Sequence, residues 1–393
     1  MAWRATNAML ERERFIEAWL HHGLTMTGLC GQFGISRECG YKWIERFKQE
    51  GLPGLEERSR TPIHIANKTP QRTEQELLGK RKDHPTWGPK KLIALVRREH
   101  PGLELPAPST VWAILKRNGL VEARRRRTPQ VRQTHAIKVA KAPNEEWSAD
   151  YKGQFRMKNG RYCYPLTIQD RYSRFFLRCD GAYAIAGQQA QKAFELAFRE
   201  HGLPERLRTD NGSPFGGTGV CGLSRLCVWL IKLRIQPIKG RPAHPQDNGR
   251  LERLHRTLKQ ETARPPEQDL PRQQRRFNAF RREYNELRPH EAIGMKTPAE
   301  LYQESPRSFP VRLESPEYPG HYEVRRVGTN GCIKWCERIV YVSNALIGEP
   351  IGLLEVETDL WRAYFGSLEL GIIDEQHGSS HRRARRVSTM CPS

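Results

Sequence analysis

Apolar residues recur at helical spacing through the first third of the chain, which predicts helices rather than strands there. Between Glu11 and Gln49 the pattern predicts three helices, and Ser36 is placed to cap the last of them, Arg37–Glu50. A turn containing Gly34 joins the second and third helices, an arrangement typical of a helix-turn-helix unit. An ordinary three-helix bundle has a similar pattern, so both interpretations stay open at this point.

The third predicted helix has a buried side and an outward side. Trp43 and Phe47 lie four residues apart and predict the buried side, which leaves Arg37, Tyr41 and Lys42 to face outward. These three side chains are our candidates for DNA contact from this unit. A solvated helix face without a ligand is the alternative.

A second group of helices is predicted between residues 74 and 118. Pro108-Ser109-Thr110 opens its last helix, Gly119 stops that helix, and Trp87 is expected in the core. Two helix-turn-helix units in tandem suit a long, asymmetric DNA site that is read by two recognition helices. Residues 51–70, between the units, are rich in Pro, Gly and Ser and are predicted to form a linker.

The spacing of apolar residues changes after Pro143, where apolar and polar residues begin to alternate as in β-strands. Three strands are predicted over residues 147–155, 162–169 and 174–180, followed by helices that alternate with short strands at 206–209 and 234–238. This order describes a mixed α/β sheet and matches the ribonuclease-H-like fold. From residue 322 to 373, short strands separated by turns predict a small β-barrel.

The predicted fold class is therefore multidomain α+β, with N-terminal tandem helix-turn-helix units, a central ribonuclease-H-like mixed α/β core and a C-terminal small β-barrel. The predicted boundaries are 1–60 for the first helix-turn-helix domain, 70–121 for the second, 122–142 for a basic linker, 143–305 for the core, 320–375 for the β-barrel and 376–393 for a basic flexible tail.

Charge points to a polyanionic partner. The chain has 393 residues, a formal net charge of +22 and a pI near 9.9. The excess lies in residues 1–305, which is typical of a polyanion binder, although a basic surface that only aids solubility is the alternative. The densest basic run consists of Arg124, Arg125, Arg126 and Arg127, and it predicts contact with the DNA phosphate backbone.

Composition also disfavours several classes of protein. No apolar run approaches the ~18 residues that a membrane-spanning helix needs. Nine cysteines at irregular spacing, without a C-x-x-C pair, fit reduced thiols better than a disulfide framework or a zinc site. A membrane protein, a small secreted scaffold and a structural zinc protein are therefore disfavoured.

Three acidic residues are candidates for chemistry. Asp150 begins the string D-Y-K-G in the first predicted strand, and Asp210 follows a later strand in T-D-N-G-S-P-F. Glu252 lies at the start of a predicted helix, in H-P-Q-D-N-G-R-L-E-R-L-H-R-T-L-K. If the two strands are neighbours, both aspartates project from one edge and the helix brings Glu252 over it. Asn-Gly is also a common turn dipeptide and Glu252 also suits a helix N-terminus, so spacing alone establishes nothing.

Converging carboxylates in a basic protein repel one another unless divalent cations lie between them. Oxygen ligands that leave positions open for water and phosphate suit Mg²⁺ or Mn²⁺. Two ions ~3.5–4 Å apart can clamp the attacking and leaving oxygens of a phosphoryl displacement. In this hypothesis Asp150 bridges both ions, Asp210 binds one and Glu252 the other, and the nucleophile is water or a DNA 3′-hydroxyl.

Two further strings, Y-N-E-L-R-P-H-E-A-I-G from Tyr284 and T-P-A-E-L-Y from Thr297, accompany the three acidic ones. Together the strings resemble the integrase catalytic core of the DDE family, in particular bacterial insertion-sequence transposases related to retroviral integrases. The resemblance covers nearly the whole chain. It implies a polynucleotidyl transferase with a ribonuclease-H-like core, Mg²⁺-dependent cleavage at transposon ends, and strand transfer by the freed 3′-hydroxyl into target DNA.

The chain departs from this family in two places. The interval from Asp210 to Glu252 is 42 positions, longer than usual, and Gly216–Gly222 is where the insertion is expected, as a simple loop or a flap. The zinc-binding N-terminal domain of retroviral integrases is absent, and helix-turn-helix units stand in its place.

The helix of Glu252 carries further candidates for DNA contact. Asn248, Arg256 and Lys259 lie on roughly the same face as Glu252, and Arg256 and Lys259 are expected at phosphates near the cleaved bond. His255 has two open interpretations, which are a structural hydrogen bond and a role on DNA.

The leading hypothesis is a DNA transposase that binds the terminal inverted repeats of an insertion sequence and then cuts and joins DNA. Its expected partners are double-stranded DNA, at transposon ends and target, and further copies of itself, because joining two ends requires at least a dimer. The expected location is the bacterial cytoplasm, on the nucleoid and not on a membrane. Two alternatives remain: a sequence-specific repressor derived from an inactive transposase, and a host ribonuclease-H-like nuclease without joining activity.

Overall fold

The computed structural model describes residues 7–21, 23–58, 68–121, 140–210, 212–217, 222–240, 249–374 and 385–386. Two compact units divide the chain, Met1–Lys68 and Thr69–Ser393. Arg124 to Arg127 and Asn248 lie outside the described residues, as do most of the predicted basic linker and tail.

The first unit contains three helices, α1 (Ala8–Leu20), α2 (Met26–Phe33) and α3 (Arg37–Glu50). The Ser36 hydroxyl accepts a hydrogen bond from the backbone N–H of Cys39 at 3.2 Å, which caps α3 as predicted. Gly34 adopts a left-handed conformation in the turn before α3, with φ at 64°. The predicted third helix and its N-cap are therefore confirmed.

Packing in the first unit separates the two sides of α3. Trp43 is buried and Phe47 half-buried, whereas Arg37, Tyr41 and Lys42 are exposed, so the predicted outward side is confirmed. Lys42 also lies against the core aromatic, with its Nζ 5.1 Å from the centroid of the Trp43 ring.

The α2–α3 contact depends on a glycine. A Cβ at Gly40 would lie 2.6 Å from Cε of Met26 and 2.7 Å from Sγ of Cys30, so a larger residue fits only if these side chains shift.

The second unit begins with helices α4 (Gln71–Asp83), α5 (Pro89–Glu99) and α6 (Pro108–Arg117). Trp87 lies in their shared core with 1% of its surface exposed, as predicted. The three helices contact residues that follow in the chain through polar pairs. His84 Nδ1 lies 2.9 Å from Glu283 Oε1, and Arg98 Nη2 lies 2.8 Å from Glu300 Oε1.

A mixed six-stranded sheet forms the centre of this unit. Its strands are β1 (Glu146–Tyr151), β2 (Phe155–Arg156), β3 (Tyr162–Asp170), β4 (Phe176–Ala182), β5 (Arg206–Thr209) and β6 (Gln236–Lys239). β1 is antiparallel to β3 and parallel to β5, β6 is parallel to β5, and β2 and β4 both pair with β3. The first predicted strand, 147–155, is split into β1 and β2, and the mixed sheet is confirmed.

Helices cover both faces of this sheet. Alternating strand residues place one apolar set against α7 (Gly187–His201) and α8 (Arg225–Lys232). The other set packs against α9 (Gly249–Thr262) and α10 (Leu270–Glu286). A short helix, α11 (Pro298–Leu301), follows. This arrangement fixes α9, the helix of Glu252, against the sheet that carries Asp150.

The C-terminal strands form two sheets. β12 (Leu368–Asp374), β11 (Leu360–Phe365), β10 (Pro350–Glu357) and β7 (Glu323–Arg326) pair in that order, and β9 (Arg338–Tyr341) pairs with β8 (Cys332–Trp335) and β13 (Arg385–Arg386). The predicted closed barrel is not confirmed, because strand pairing among the described residues does not join the two sheets. Their shared core includes Val228 and Ile231 of α8, so these strands pack on the central domain.

No helix among the described residues combines the length and the apolar character that a membrane crossing requires. The seven described cysteines are free thiols: Cys30, Cys39, Cys163, Cys179, Cys227, Cys332 and Cys336.

Candidate active site

Asp150 and Asp210 come to the same edge of the central sheet. Ser148 of β1 is paired in register with Arg208 of β5, and the two strands are parallel. Asp150 lies two residues beyond Ser148, and Asp210 lies two residues beyond Arg208, so both reach the same level. The neighbouring strands required by the sequence hypothesis are therefore present.

Glu252 approaches this edge from α9. Leu251, Leu254 and Leu258 are buried and hold α9 against the sheet and α10. Glu252 lies in the first turn of α9 with its side chain exposed. The apolar side of the helix thus sets the position of the acidic residue.

The surroundings of Asp150 raise the pKa of its carboxyl group. Burial, the charge of Asp210 and, to a smaller extent, the charge of Glu252 together raise the pKa of Asp150 to about 7. Burial also raises the pKa of Asp210. Both other carboxylates therefore act on Asp150. Among the described residues, however, no three His, Cys, Asp or Glu side chains are close enough together to hold a metal ion.

A buried hydrogen-bonded chain supports Asp150 from the strand beside it. Thr167 pairs with Asp150 in register and donates its hydroxyl proton to the Asp150 backbone oxygen at 3.0 Å. The same hydroxyl oxygen lies 2.7 Å from Nε2 of His255, so His255 must donate in that second bond. Burial lowers the pKa of His255 to about 3, which keeps the ring neutral, with Nδ1 3.9 Å from Oδ2 of Asp150. This geometry favours the structural interpretation of His255.

We expect Thr167→Val to destabilise the protein by about 1–3 kcal/mol, because the buried Nε2 group of His255 loses its acceptor. Thermal unfolding measures the difference. Thr257→Val is the matched control, since its hydroxyl bonds only a backbone oxygen on its own helix and lies partly in solvent. Equal unfolding temperatures for the two variants would contradict a supporting role for Thr167.

Basic side chains lie beside the acids. Arg256 and Lys259 are exposed on α9, one and two turns beyond Glu252. Burial and the charge of Lys259 lower the pKa of Lys152, whereas Asp150 acts on it in the opposite direction. Lys152 is thus within electrostatic reach of both. Lys152 was not among the predicted site residues, although the predicted strand 147–155 would place it and Asp150 on one face; in the structure β1 ends one residue earlier, at Tyr151.

Comparison with known families gives the class of this fold. The Integrase core domain family matches residues 140–245, and a second family of that description matches 233–298. A Helix-turn-helix domain family matches residues 11–62 and a Homeodomain-like domain family matches 39–115. The chain therefore carries an integrase core domain preceded by helix-turn-helix domains, which are DNA-binding modules.

Individual relatives come from bacterial insertion sequences. The "Insertion element IS476 uncharacterized 39.2 kDa protein" of Xanthomonas euvesicatoria is 23% identical over 79% of this chain and 87% of its own length. "Transposase InsD for insertion element IS2A/D/F/H/I/K" of Escherichia coli is 27% identical over 56% of this chain and 74% of its own length. The chain is thus similar to proteins of bacterial insertion sequences, one of them named a transposase, as its motifs indicated.

Solved structures give a weaker match. A structure of the simian T-cell lymphotropic virus intasome in complex with the PP2A regulatory subunit B56 gamma covers 76% of this chain and 99% of the matched chain, at 16% identity and a TM-score of 0.38. A TM-score this low does not by itself establish a shared fold.

Proposed function

We propose that this chain is a DNA transposase that binds the terminal inverted repeats of an insertion sequence and catalyses cleavage and strand transfer. The observation that carries the proposal is the placement of Asp150, whose pKa is raised by burial and by two other carboxylates at the edge of an integrase core. The helix-turn-helix domains supply DNA binding, and one similar protein of Escherichia coli is named a transposase.

Asp150, Asp210 and Glu252 form the proposed catalytic site and hold divalent Mg²⁺ or Mn²⁺, two ions per site. The donor set fits, because carboxylate oxygens are the ligands these ions prefer and mutual repulsion favours a cation between them. Bound ions would stabilise the charge that develops on the attacking and leaving oxygens. In the described conformation the carboxylates are not gathered at ligand distance, so DNA and ions have to draw them closer.

The remaining contacts in this proposal involve phosphates. Arg256, Lys259 and Lys152 flank the acids and would hold the DNA backbone beside the cleaved bond. Asn248 and the run Arg124 to Arg127 are further proposed DNA contacts. A homo-oligomer, at least a dimer, completes the proposal, since each of two transposon ends needs its own catalytic site. The predicted domain boundaries and the cytoplasmic location belong to it as well.

The test uses purified protein, Mg²⁺ and a duplex that carries the terminal repeat, with a supercoiled plasmid as target. A transposase nicks the duplex at the element end and joins the freed 3′-end to the plasmid. Binding without nicking would instead identify a repressor, and hydrolysis without any joined product would identify a nuclease. The DNA that flanks the gene supplies the duplex, because imperfect inverted repeats should bracket it.

For the first helix-turn-helix unit, we expect the double change Arg37→Gln and Lys42→Gln to weaken terminal-repeat binding by about 10-fold or more. Both side chains are exposed on the predicted recognition helix. Arg14→Gln with Lys68→Gln removes the same charge from exposed positions of this unit that lie outside α3, and it serves as the control. Fluorescence polarisation measures the affinities, and equal losses for the two pairs would contradict a specific role for α3.

A further inference from the structure

A basic pocket separate from the acidic site lies where the second helix-turn-helix domain contacts the core. Its cations are Lys91 of α5, Arg171 and Arg174 after β3, Arg250 and Arg253 of α9, and Arg288 after α10. The cavity volume is about 410 Å³. None of the three acids of the candidate active site lines it, and no described Asp or Glu does so.

Carboxylates neutralise only part of this charge. Glu146 pairs with Arg171 at 2.9 Å, and Glu261 pairs with Arg288 at 2.7 Å. The other four cations, those of Lys91, Arg174, Arg250 and Arg253, form no ion pair with a described residue. Basic groups that share one cavity repel one another. Burial and the charge of Arg288 lower the pKa of Lys91 to about 7, so a bound anion would favour the charged form of Lys91.

One of these donors is held in place by the protein, and another is buried without an acceptor. Arg250 donates from Nη1 to the backbone oxygen of Arg171 at 2.9 Å, which orients its guanidinium. The Nε group of Arg174 is buried and has no hydrogen-bond partner among the described residues. Arg174 also adopts a left-handed backbone conformation, with φ at 67°. A buried donor without an acceptor, in a cavity of unpaired cations, is a site that an oxyanion would satisfy.

We propose that this pocket binds phosphate groups of the DNA backbone, at a second contact apart from the catalytic site. DNA is the occupant that the structure favours, because the pocket is formed jointly by a helix-turn-helix domain and the integrase core. That the phosphate comes from DNA rests on the proposed function, whereas the inference that the pocket binds an anion does not.

The position of the pocket on α9 gives the contact a consequence. Arg250 and Arg253 line the pocket from the first turns of α9, and Glu252 lies between them in the sequence. A phosphate held by Arg250 and Arg253 would therefore anchor the helix of Glu252 to DNA. Lys91 belongs to α5 of the second helix-turn-helix domain, so DNA bound in the pocket would contact both α5 and α9.

The test compares two matched pairs of substitutions in the full chain. Lys91→Gln with Arg253→Gln removes two basic side chains from the pocket, and Lys82→Gln with Arg275→Gln removes one lysine and one arginine from exposed positions outside it. Affinities for the terminal-repeat duplex and for an unrelated duplex are measured by fluorescence polarisation at several salt concentrations. We expect the pocket pair to weaken both duplexes by about 10-fold and to lower the salt dependence by about one phosphate contact per cation removed.

Two results would overturn the proposal: a loss no greater than that of the control pair, or a loss confined to the terminal-repeat duplex. Titration calorimetry with tripolyphosphate separates the sources of phosphate. If the pocket pair abolishes tripolyphosphate binding but leaves DNA affinity unchanged, the site takes a free polyphosphate and the DNA assignment is wrong.

Separate controls test whether the variants fold and whether the protein is a transposase. If the pocket pair unfolds at a lower temperature than wild type, the binding measurement is repeated with Arg253→Gln alone, because Arg253 is exposed. Strand transfer by the wild-type protein, measured in parallel, reports on the proposed function. The two proposals are therefore tested separately. Strand transfer can be observed although the pocket does not bind DNA, and the pocket can bind tripolyphosphate although the protein shows no strand transfer.

Discussion

Asp150→Asn is expected to lower DNA cleavage by about 10³-fold or more, which corresponds to ~4 kcal/mol of lost transition-state stabilisation. Asparagine keeps the shape of the side chain but supplies no negative charge to a divalent ion. Binding of the terminal-repeat duplex should remain nearly unchanged, because the helix-turn-helix domains lie elsewhere in the sequence. Cleavage is measured by single-turnover kinetics and binding by fluorescence polarisation.

Asp180→Asn is a suitable control for this experiment. Asp180 lies on β4 of the same sheet, with 26% of its side chain exposed against 25% for Asp150, and it pairs with Arg178 at 2.6 Å. We expect this variant to retain cleavage. Joint loss of binding and cleavage in Asp150→Asn would show instead that Asp150 is structural.

The same residue should make the stability of the metal-free protein depend on pH. The pKa of Asp150 rises from 3.8 to about 7 on folding, so the native state binds more protons than the unfolded state between these values. This contribution therefore makes stability fall as pH rises through that window. At pH 8 with chelator, we expect Asp150→Asn to be more stable than wild type, by on the order of 1–3 kcal/mol.

Thermal unfolding from pH 4 to 8 measures this difference, because other titrating groups cancel between the two proteins. Mg²⁺ at pH 8 should raise the unfolding temperature of the wild-type protein and leave that of Asp150→Asn unchanged. A variant less stable than wild type at every pH would contradict this expectation. It would show that nearby cations such as Lys152 stabilise the ionised Asp150 more than burial and the other two carboxylates destabilise it.

Local features of this chain could be predicted from sequence. The bounds of α3 could be predicted from a polar cap at Ser36, a glycine turn before it and apolar positions at helical spacing. Each of these signals acts over only a few residues. The neighbouring placement of Asp150 and Asp210 was also predictable, because parallel strands in an α/β layout carry their C-terminal ends to one edge. The roles of these acids stay predictions until cleavage is measured.

Long-range packing could not be predicted in the same way. The contact between His84 and Glu283 joins residues 199 positions apart, and nothing in local periodicity encodes it. The basic pocket depends on that docking, so its cations looked like separate surface charges in the sequence. The C-terminal strands were recognised one by one, but short strands with turns do not specify whether a sheet closes.

The central claim is that Asp150, Asp210 and Glu252 meet around divalent ions. Its most direct test is a crystal structure of the protein with terminal-repeat duplex and Mn²⁺, in which anomalous scattering locates the ions. We expect ion density with carboxylate oxygens of all three residues within about 2.5 Å. Ion density that lacks Glu252 or Asp210 as a ligand, or no density beside Asp150, would contradict it.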